Sequence, residues 1–218
     1  MRVSSFLLLP LATLACAGPL TGGMFFTPSY YPSGGAVPPS VPDCSGPIVV
    51  TVTDAREKPA EAGHRFEENK PDVVYPIQMS GDAAAYVRSA LEANLKRAGS
   101  PAEGQSTSTL AATLVQLNLE ERTYHNAEFS GGVGLDLVLD TANSPSPCWK
   151  GRISGSGTNY GRAGNPENYQ ETLNRALEKA TADLLSQKSF QDALCGKCST
   201  PDQSPSLNRS SGTGNPGS

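Results

Sequence analysis

The chain has 218 residues, a net charge of −4 and a hydrophobic content of only 37%, with 22 glycines and 18 prolines. That is enough chain for one folded domain with polar extensions. Its 17 Lys and Arg form no cluster, which argues against nucleic acid as a partner, because neutralising phosphates takes a basic face. Much of the Gly, Pro and Ser falls in residues 17–46 and 199–218, leaving a foldable middle over residues 47–198.

Met1 and Arg2 precede the apolar run "FLLLPLATLA". A run of this length is too short to span a bilayer, which needs ~20 residues, but it suits a secretory signal. Two cleavage patterns compete. "TLAC", ending at Cys16, resembles the bacterial lipoprotein signal, which implies that Cys16 becomes the first residue and carries a lipid. Ala15 fits that pattern, whereas Thr13 stands where Leu is usual. Alternatively, Ala15 and Ala17 form an ordinary small-residue site with cleavage before Gly18. The brevity of the leader and the flexible composition after it favour lipidation. The expected organisation is a signal peptide over 1–15 (or 1–17), a tether over 16–46, a domain over 47–198 and a disordered tail over 199–218. Within the tether, "MFFTPSYYPSGGAVPPSVP" (24–42) mixes aromatics with Pro and Gly. It reads as a spacer of polyproline-II character. Its Phe25, Phe26, Tyr30 and Tyr31 are candidate partner-docking anchors, since aromatics dominate binding hot spots.

The domain opens with the β-branched "PIVVTVTD" (47–54). A helix follows in "GDAAAYVRSALEANLKRAGS", where Val87, Leu91, Leu95 and Ala98 recur at helical spacing and Gly99 supplies the stop. Three strands come next. "LAATLVQLNLEE" (110–121) sets Val115, Leu117 and Leu119 on one face. "GVGLDLVLD" (132–140) alternates Val133, Leu135, Leu137 and Leu139 with more polar positions. "CWKGRISGSG" (148–157) sets Trp149 and Ile153 against Lys150, Arg152 and Ser154. The last two are joined by the turn-forming "TANSPSP". One hairpin register satisfies both faces, with Leu139 opposite Trp149, Leu135 opposite Ile153 and Asp136 opposite Arg152. A second helix follows in "NPENYQETLNRALEKATADLLS", capped by Asn165, with Pro166 first and a stripe of Tyr169, Leu173, Leu177, Ala180 and Leu184.

These elements predict a two-layer α/β domain, of α+β or α/β type, in the order β-α-β-β-β-α. Its four-stranded mixed sheet has both helices on one face, and Thr51, Thr53, Asn118, Asp136, Lys150 and Arg152 on the wet face. Five cysteines are odd for an oxidising compartment. Either cleavage removes Cys16 from the count and leaves Cys44, Cys148, Cys195 and Cys198. The topology brings these four to one edge of the domain, so they are disulfide candidates whose pairing stays open among three arrangements.

Other constellations have simpler explanations than chemistry. "CGKC" (195–198) has redox spacing, but follows a helix C-terminus, the wrong end of the dipole for a thiolate. A zinc site would need Cys44 and Cys148 without a second CxxC. "GSGTNYGRAGN" (155–165) lies before a helix start but lacks a dinucleotide or phosphate-loop fingerprint, and reads as a flexible loop. "EERTYHNAE" (120–128) holds Glu120, Glu121, His125 and Glu128 in what reads as a solvated loop. No catalytic residue, metal site or cofactor is expected.

The strand ending in "TDAR", the helix "YVRSALEANLKRAG", the strands with "VQLNLEE" and "GLDLVLD", and "NYQETLNRALEKATADLL" together resemble the YajG family of bacterial envelope lipoproteins, over roughly residues 46–190. The resemblance implies an outer-membrane-anchored α/β domain facing the periplasm. It brings no catalytic residues, and the four extra cysteines, Pro-rich linker and long tail depart from the family pattern. The functional expectation is a non-catalytic binding or assembly module, held to the membrane by a lipid and meeting an envelope protein partner. An exported dithiol oxidoreductase or other secreted enzyme, and a periplasmic small-ligand carrier, are the alternatives.

Overall fold

The computed structural model describes residues 23–34, 38–101, 108–123, 126–141 and 147–198, with Pro71 by its backbone alone. The predicted signal peptide, the lipidation site Cys16, His125 and the predicted tail lie outside the described residues.

The described elements are β1 (Met24–Phe26), β2 (Ile48–Asp54), β3 (Glu61–Glu67), β4 (Lys70–Met79), α1 (Ala83–Arg97), β5 (Ser108–Thr123), β6 (Ala127–Thr141), β7 (Trp149–Gly161), α2 (Pro166–Ser186) and α3 (Lys188–Leu194). Among the described residues they make a seven-stranded mixed sheet with three helices. This corrects the expected four-stranded sheet in the order β-α-β-β-β-α. The reason lies in β5, whose 16 residues reach ~54 Å when extended. The seven residues of β2 cover only its first half, pairing in parallel from Ile48–Ser108 to Asp54–Leu114. The second half of the same edge is taken by β3, also parallel, from Gly63–Leu119 to Glu67–Thr123. Beyond β3 the sheet continues through antiparallel β4 to parallel β1.

The β3–β4 hairpin escapes a pattern reading because its sequence carries poor strand signals. β3 holds Gly63, His64 and Arg65, and β4 holds Pro71 and Pro76. Proline demotes a strand because it cannot donate to a ladder. Pro76 is accommodated one residue before the stretch that β1 pairs, Ile77–Met79. Gly63 has φ +155°, and a Cβ there would stand 1.8 Å from the Leu119 carbonyl oxygen, so only glycine brings β3 against β5.

On the other edge of β5 the meander forms as its two-faced pattern requires. β6 pairs antiparallel with β5 and β7, with Leu139 opposite Trp149, Leu135 opposite Ile153 and Asp136 opposite Arg152. One position differs from expectation. A bulge between Leu114 and Gln116 switches the parity of β5. Leu110, Ala112 and Leu114 face the core before it, Leu117 and Leu119 after it, and Val115 is only partly buried.

Both long helices pack on one face of the sheet, α1 over β2 and α2 over β6 and β7, and they touch each other. α1 starts where the Asp82 side chain accepts hydrogen bonds from the Ala84 and Ala85 N–H groups, at 2.8 and 3.1 Å. α2 starts at Asn165, whose side chain accepts from the Glu167 N–H, with Pro166 in the first turn. Val87, Leu91 and Leu95 from α1 join Tyr169, Leu173, Leu177 and Leu184 from α2 in one core with the inward strand residues.

Of the Gly-rich stretch expected as a loop (155–165), residues 155–161 are instead the second half of β7, and 162–165 form the turn into α2. Gly155 and Gly157 face the core, alternating with the exposed Ser154, Ser156 and Thr158. A Cβ on Gly155 would lie 1.9 Å from the Ala176 carbonyl oxygen, and one on Gly157 would lie 2.2 Å from that of Thr172. Strand glycines here mark the place where a helix backbone comes down onto the sheet.

Candidate functional site

The described part of the predicted docking segment, residues 24–34 and 38–42, belongs to the fold. Residues 23–34 lie on the domain surface, where β1 adds to the β4 edge and the chain then crosses the α1–α2 junction. The four aromatics accordingly divide. Phe26 points into the core, 4% exposed, with its ring 5.7 Å from that of Tyr169. Its carbonyl oxygen accepts from the Ser80 N–H at 2.9 Å. Tyr30 is half-buried, and its hydroxyl donates to Asn94 Oδ1 at 2.8 Å. The Ser33 N–H donates to Glu178 Oε1 at 2.8 Å, and Arg97 Nη1 donates to the same oxygen at 3.3 Å. Phe26 and Tyr30 are therefore fixed to their own domain and unavailable as anchors. Phe25 and Tyr31 remain about half exposed. Over residues 23–34 the expected tether is instead packed on the domain, because Phe26 and Tyr30 find partners that only the assembled sheet and helices provide.

Burial, with the neighbouring Glu178 carboxylate second, pushes the Tyr30 phenol up to about 12. A raised phenol pKa means that the folded state holds its proton more tightly than the unfolded chain. The stability it contributes is complete below pH ~10 and is lost as pH rises towards 12. An absorbance titration of Glu178→Gln should find one phenol ionising at lower pH than in the wild type, because that substitution removes the charge opposing the phenolate.

The four domain cysteines are all bonded: Cys44 to Cys195, with Cα atoms 5.3 Å apart, and Cys148 to Cys198, with Cα atoms 4.4 Å apart. Cys195 and Cys198 therefore join different parts of the fold. The first ties the segment before β2 to the end of α3, across 151 residues, and the second ties the start of β7 to the same end, across 50. Removing either pair by Cys→Ala substitution should cost about 2–4 kcal/mol, read from urea denaturation of the non-reduced protein.

Glu121, the last residue of the predicted strand 110–121 and the second of the loop read as solvated, is a fully buried carboxylate near the end of β5. The Tyr169 hydroxyl donates to its Oε2, and the Gly164 N–H donates to its Oε1 at 2.9 Å. Arg65 Nε from β3 lies 3.6 Å from Oε1. Burial, with the hydrogen bond to Glu121 next, pushes the Tyr169 phenol far up. Glu120, one residue earlier, faces the other way and meets Arg122. Strand alternation thus separates two carboxylates that adjacency in the sequence had grouped together.

The face of the sheet turned away from α1 and α2 is open. On β2 it exposes Val49, Thr51 and Thr53, next to the partly exposed Thr109, Ala111 and Thr113 on β5. Further across, Arg152 Nη2 reaches Asp136 Oδ2 at 2.9 Å. The hydrogen bond to Arg152 holds the Asp136 carboxyl below the usual carboxylate range. At the junction of β2 and β3 lies a cleft of about 530 Å³, lined among others by Arg56, Glu61, His64, Gln116 and Asn118. It forms because β5 runs on from Leu114 to Leu119 while the neighbouring chain leaves at Asp54 and returns at Gly63. The Arg56 guanidinium fills the root of that excursion, donating to Asp54 Oδ2 at 2.7 Å and to the Glu61 carbonyl at 3.1 Å.

No protein-family model matches the chain, and no curated protein matches it. Among solved structures it is similar to a Xanthomonas campestris protein of the family DUF330, at 11% identity and TM-score 0.48, covering 79% of this chain and 96% of that one. It is also similar to a "putative lipoprotein" from Caulobacter crescentus CB15, at 20% identity and TM-score 0.40, covering 54% of this chain and 87% of that one. A hypothetical protein from Chlamydia trachomatis gives 11% identity and TM-score 0.40, covering 70% and 99%. At these scores the functional reading rests on the chain's own residues.

Proposed function

We propose that this is an exported envelope protein, lipid-anchored through Cys16 and facing the periplasm, whose domain is a non-catalytic binding or assembly module. The observation that carries the reading is the cysteine inventory. All four cysteines of the described domain are spent in two crosslinks, and Cys16, behind a signal-like leader, is the fifth. Crosslinks of this kind persist in oxidising compartments, and an odd cysteine in an exported chain calls for a separate use. The resemblance to YajG-type envelope lipoproteins agrees with this. The binding surface would be the helix-free face of the sheet, where uncharged Val, Thr and Ala side chains lie open on β2 and β5. The oxidoreductase alternative is weakened by the pairing itself, because Cys195 and Cys198 bond to separate partners and not to each other. The carrier alternative is weakened by the layer between sheet and helices, which is filled by Leu110, Leu114, Leu135, Leu173 and Leu177.

Intact mass of the mature protein recovered from native membranes tests the reading. A chain beginning at Cys16, heavier by a lipid and lighter by two hydrogens for each disulfide, is the expected result. An unprocessed chain with free thiols would overturn it.

A further inference from the structure

Among the described residues the sheet has outer edges at β1, at the part of β4 that β1 leaves uncovered, at β7 and at β2, and they differ in how they are protected; the uncovered part of β4 carries Lys70, Pro71 and Pro76. β1 is only three residues long. β7 carries Lys150 and Arg152, and Arg175 from α2 donates to its Thr158 carbonyl at 2.7 Å. β2, by contrast, is seven residues of "IVVTVTD" with neither lysine nor proline, and among the described residues its only strand neighbour is β5. Sheet edges are normally blunted by charge, proline, bulges or brevity, because an unblunted edge recruits another strand. The core also runs out here: Ile48 and Val52 pack against it but stay partly exposed.

We infer that the β2 edge pairs antiparallel with β2 of a second copy of this chain, about a two-fold axis at Thr51. The inference adds a first partner to the binding-module reading, and it stands or falls in purified protein whatever the anchoring. The strand is self-complementary in that register. Val50 meets the second copy's Val52, and Ile48 meets Asp54, on the side covered by the helices. Val49 meets Thr53, and Thr51 meets itself, on the open side. No like charges face each other, because Asp54 is the strand's single charge and lies opposite Ile48. A two-fold contact of this kind closes on itself, so it removes the exposed edge without starting a fibre. It leaves the helices of both copies on one side and joins their open Val/Thr faces into one larger surface.

Sedimentation equilibrium of the purified, oxidised full chain is expected to show twice the chain mass. Val49→Lys/Thr53→Lys sets two like-charged pairs across the axis and should weaken dimerisation at least tenfold. Val49→Lys/Thr53→Glu sets opposite charges across the same pairs and should restore it. Both substituted positions lie on the exposed face, and circular dichroism checks that each variant is folded. A wild-type chain that stays monomeric at all concentrations would overturn the inference. So would a dimer indifferent to the double lysine variant, or one that the Lys/Glu variant fails to restore. None of these outcomes bears on processing or lipidation, which the mass measurement reads separately.

Discussion

Glu121→Ala is expected to destabilise the domain by about 3–5 kcal/mol, the usual range for breaking a buried charge pair by deleting one partner. The carboxylate is fully buried and serves three groups from three places: the Tyr169 hydroxyl of α2, the Gly164 N–H before that helix, and the Arg65 guanidinium of β3. Deleting it strands all three. A phenol and an N–H lose their acceptor, and Arg65 keeps its charge with Glu67 beside it, at 3.1 Å. Glu121→Gln, which keeps the shape but can satisfy the donors only as a neutral acceptor, should fall between the wild type and the alanine variant. Asp136→Ala removes a surface pair with closer contacts, two hydrogen bonds from Arg152 to the Asp136 carboxylate. It should change stability little, because solvent screens such pairs. Urea denaturation of the three variants, compared at constant m value, checks the order. Equal effects for Glu121→Ala and Asp136→Ala would show that burial is not what makes the first pair matter.

The second large effect is at Gly155. Its missing side chain lets α2 settle on β7, with the Ala176 carbonyl oxygen 1.9 Å and the Ala180 nitrogen 2.7 Å from where a Cβ would be. Both neighbours are backbone inside a helix, so no rotamer change relieves the overlap. Overpacking usually costs 1–3 kcal/mol when side chains can shift. Gly155→Val should exceed that, at about 4 kcal/mol, and lower the melting temperature by roughly 8–16 °C for a domain of this size. Gly132→Ala is the control on the adjacent strand. The atom its Cβ would meet first is the Asn118 Oδ1, at 2.9 Å, the end of a side chain that can move. That variant should lie within about 1 kcal/mol of the wild type. Thermal unfolding of the two variants separates backbone from side-chain contact, and a mild Gly155→Val phenotype would mean that α2 can lift off β7 at little cost.

The amino-acid order alone determined the parts of this protein that depend on neighbours in sequence. The alternation of Val133, Leu135, Leu137 and Leu139, set against Trp149 and Ile153, specifies one hairpin register, because a slip of one residue would turn every apolar side chain into water. Asn165, Pro166 and the Leu173–Leu177–Leu184 stripe likewise specify where α2 starts and which side it buries. What only the tertiary structure decided are the features whose meaning depends on a distant surface. Gly155 and Gly157 look like the weak end of a strand until the α2 backbone is seen above them. Phe26 and Tyr30 look like bait for a partner until β4, Asn94 and Tyr169 are in place to receive them. Glu121 looks solvated until Gly164 and Tyr169 close over it. β3 and β4 have too much charge and proline to announce themselves. They become strands because the second half of β5 presents an edge whose hydrogen-bonding groups must be satisfied, and a buried backbone group left unpaired costs more than a poor strand sequence.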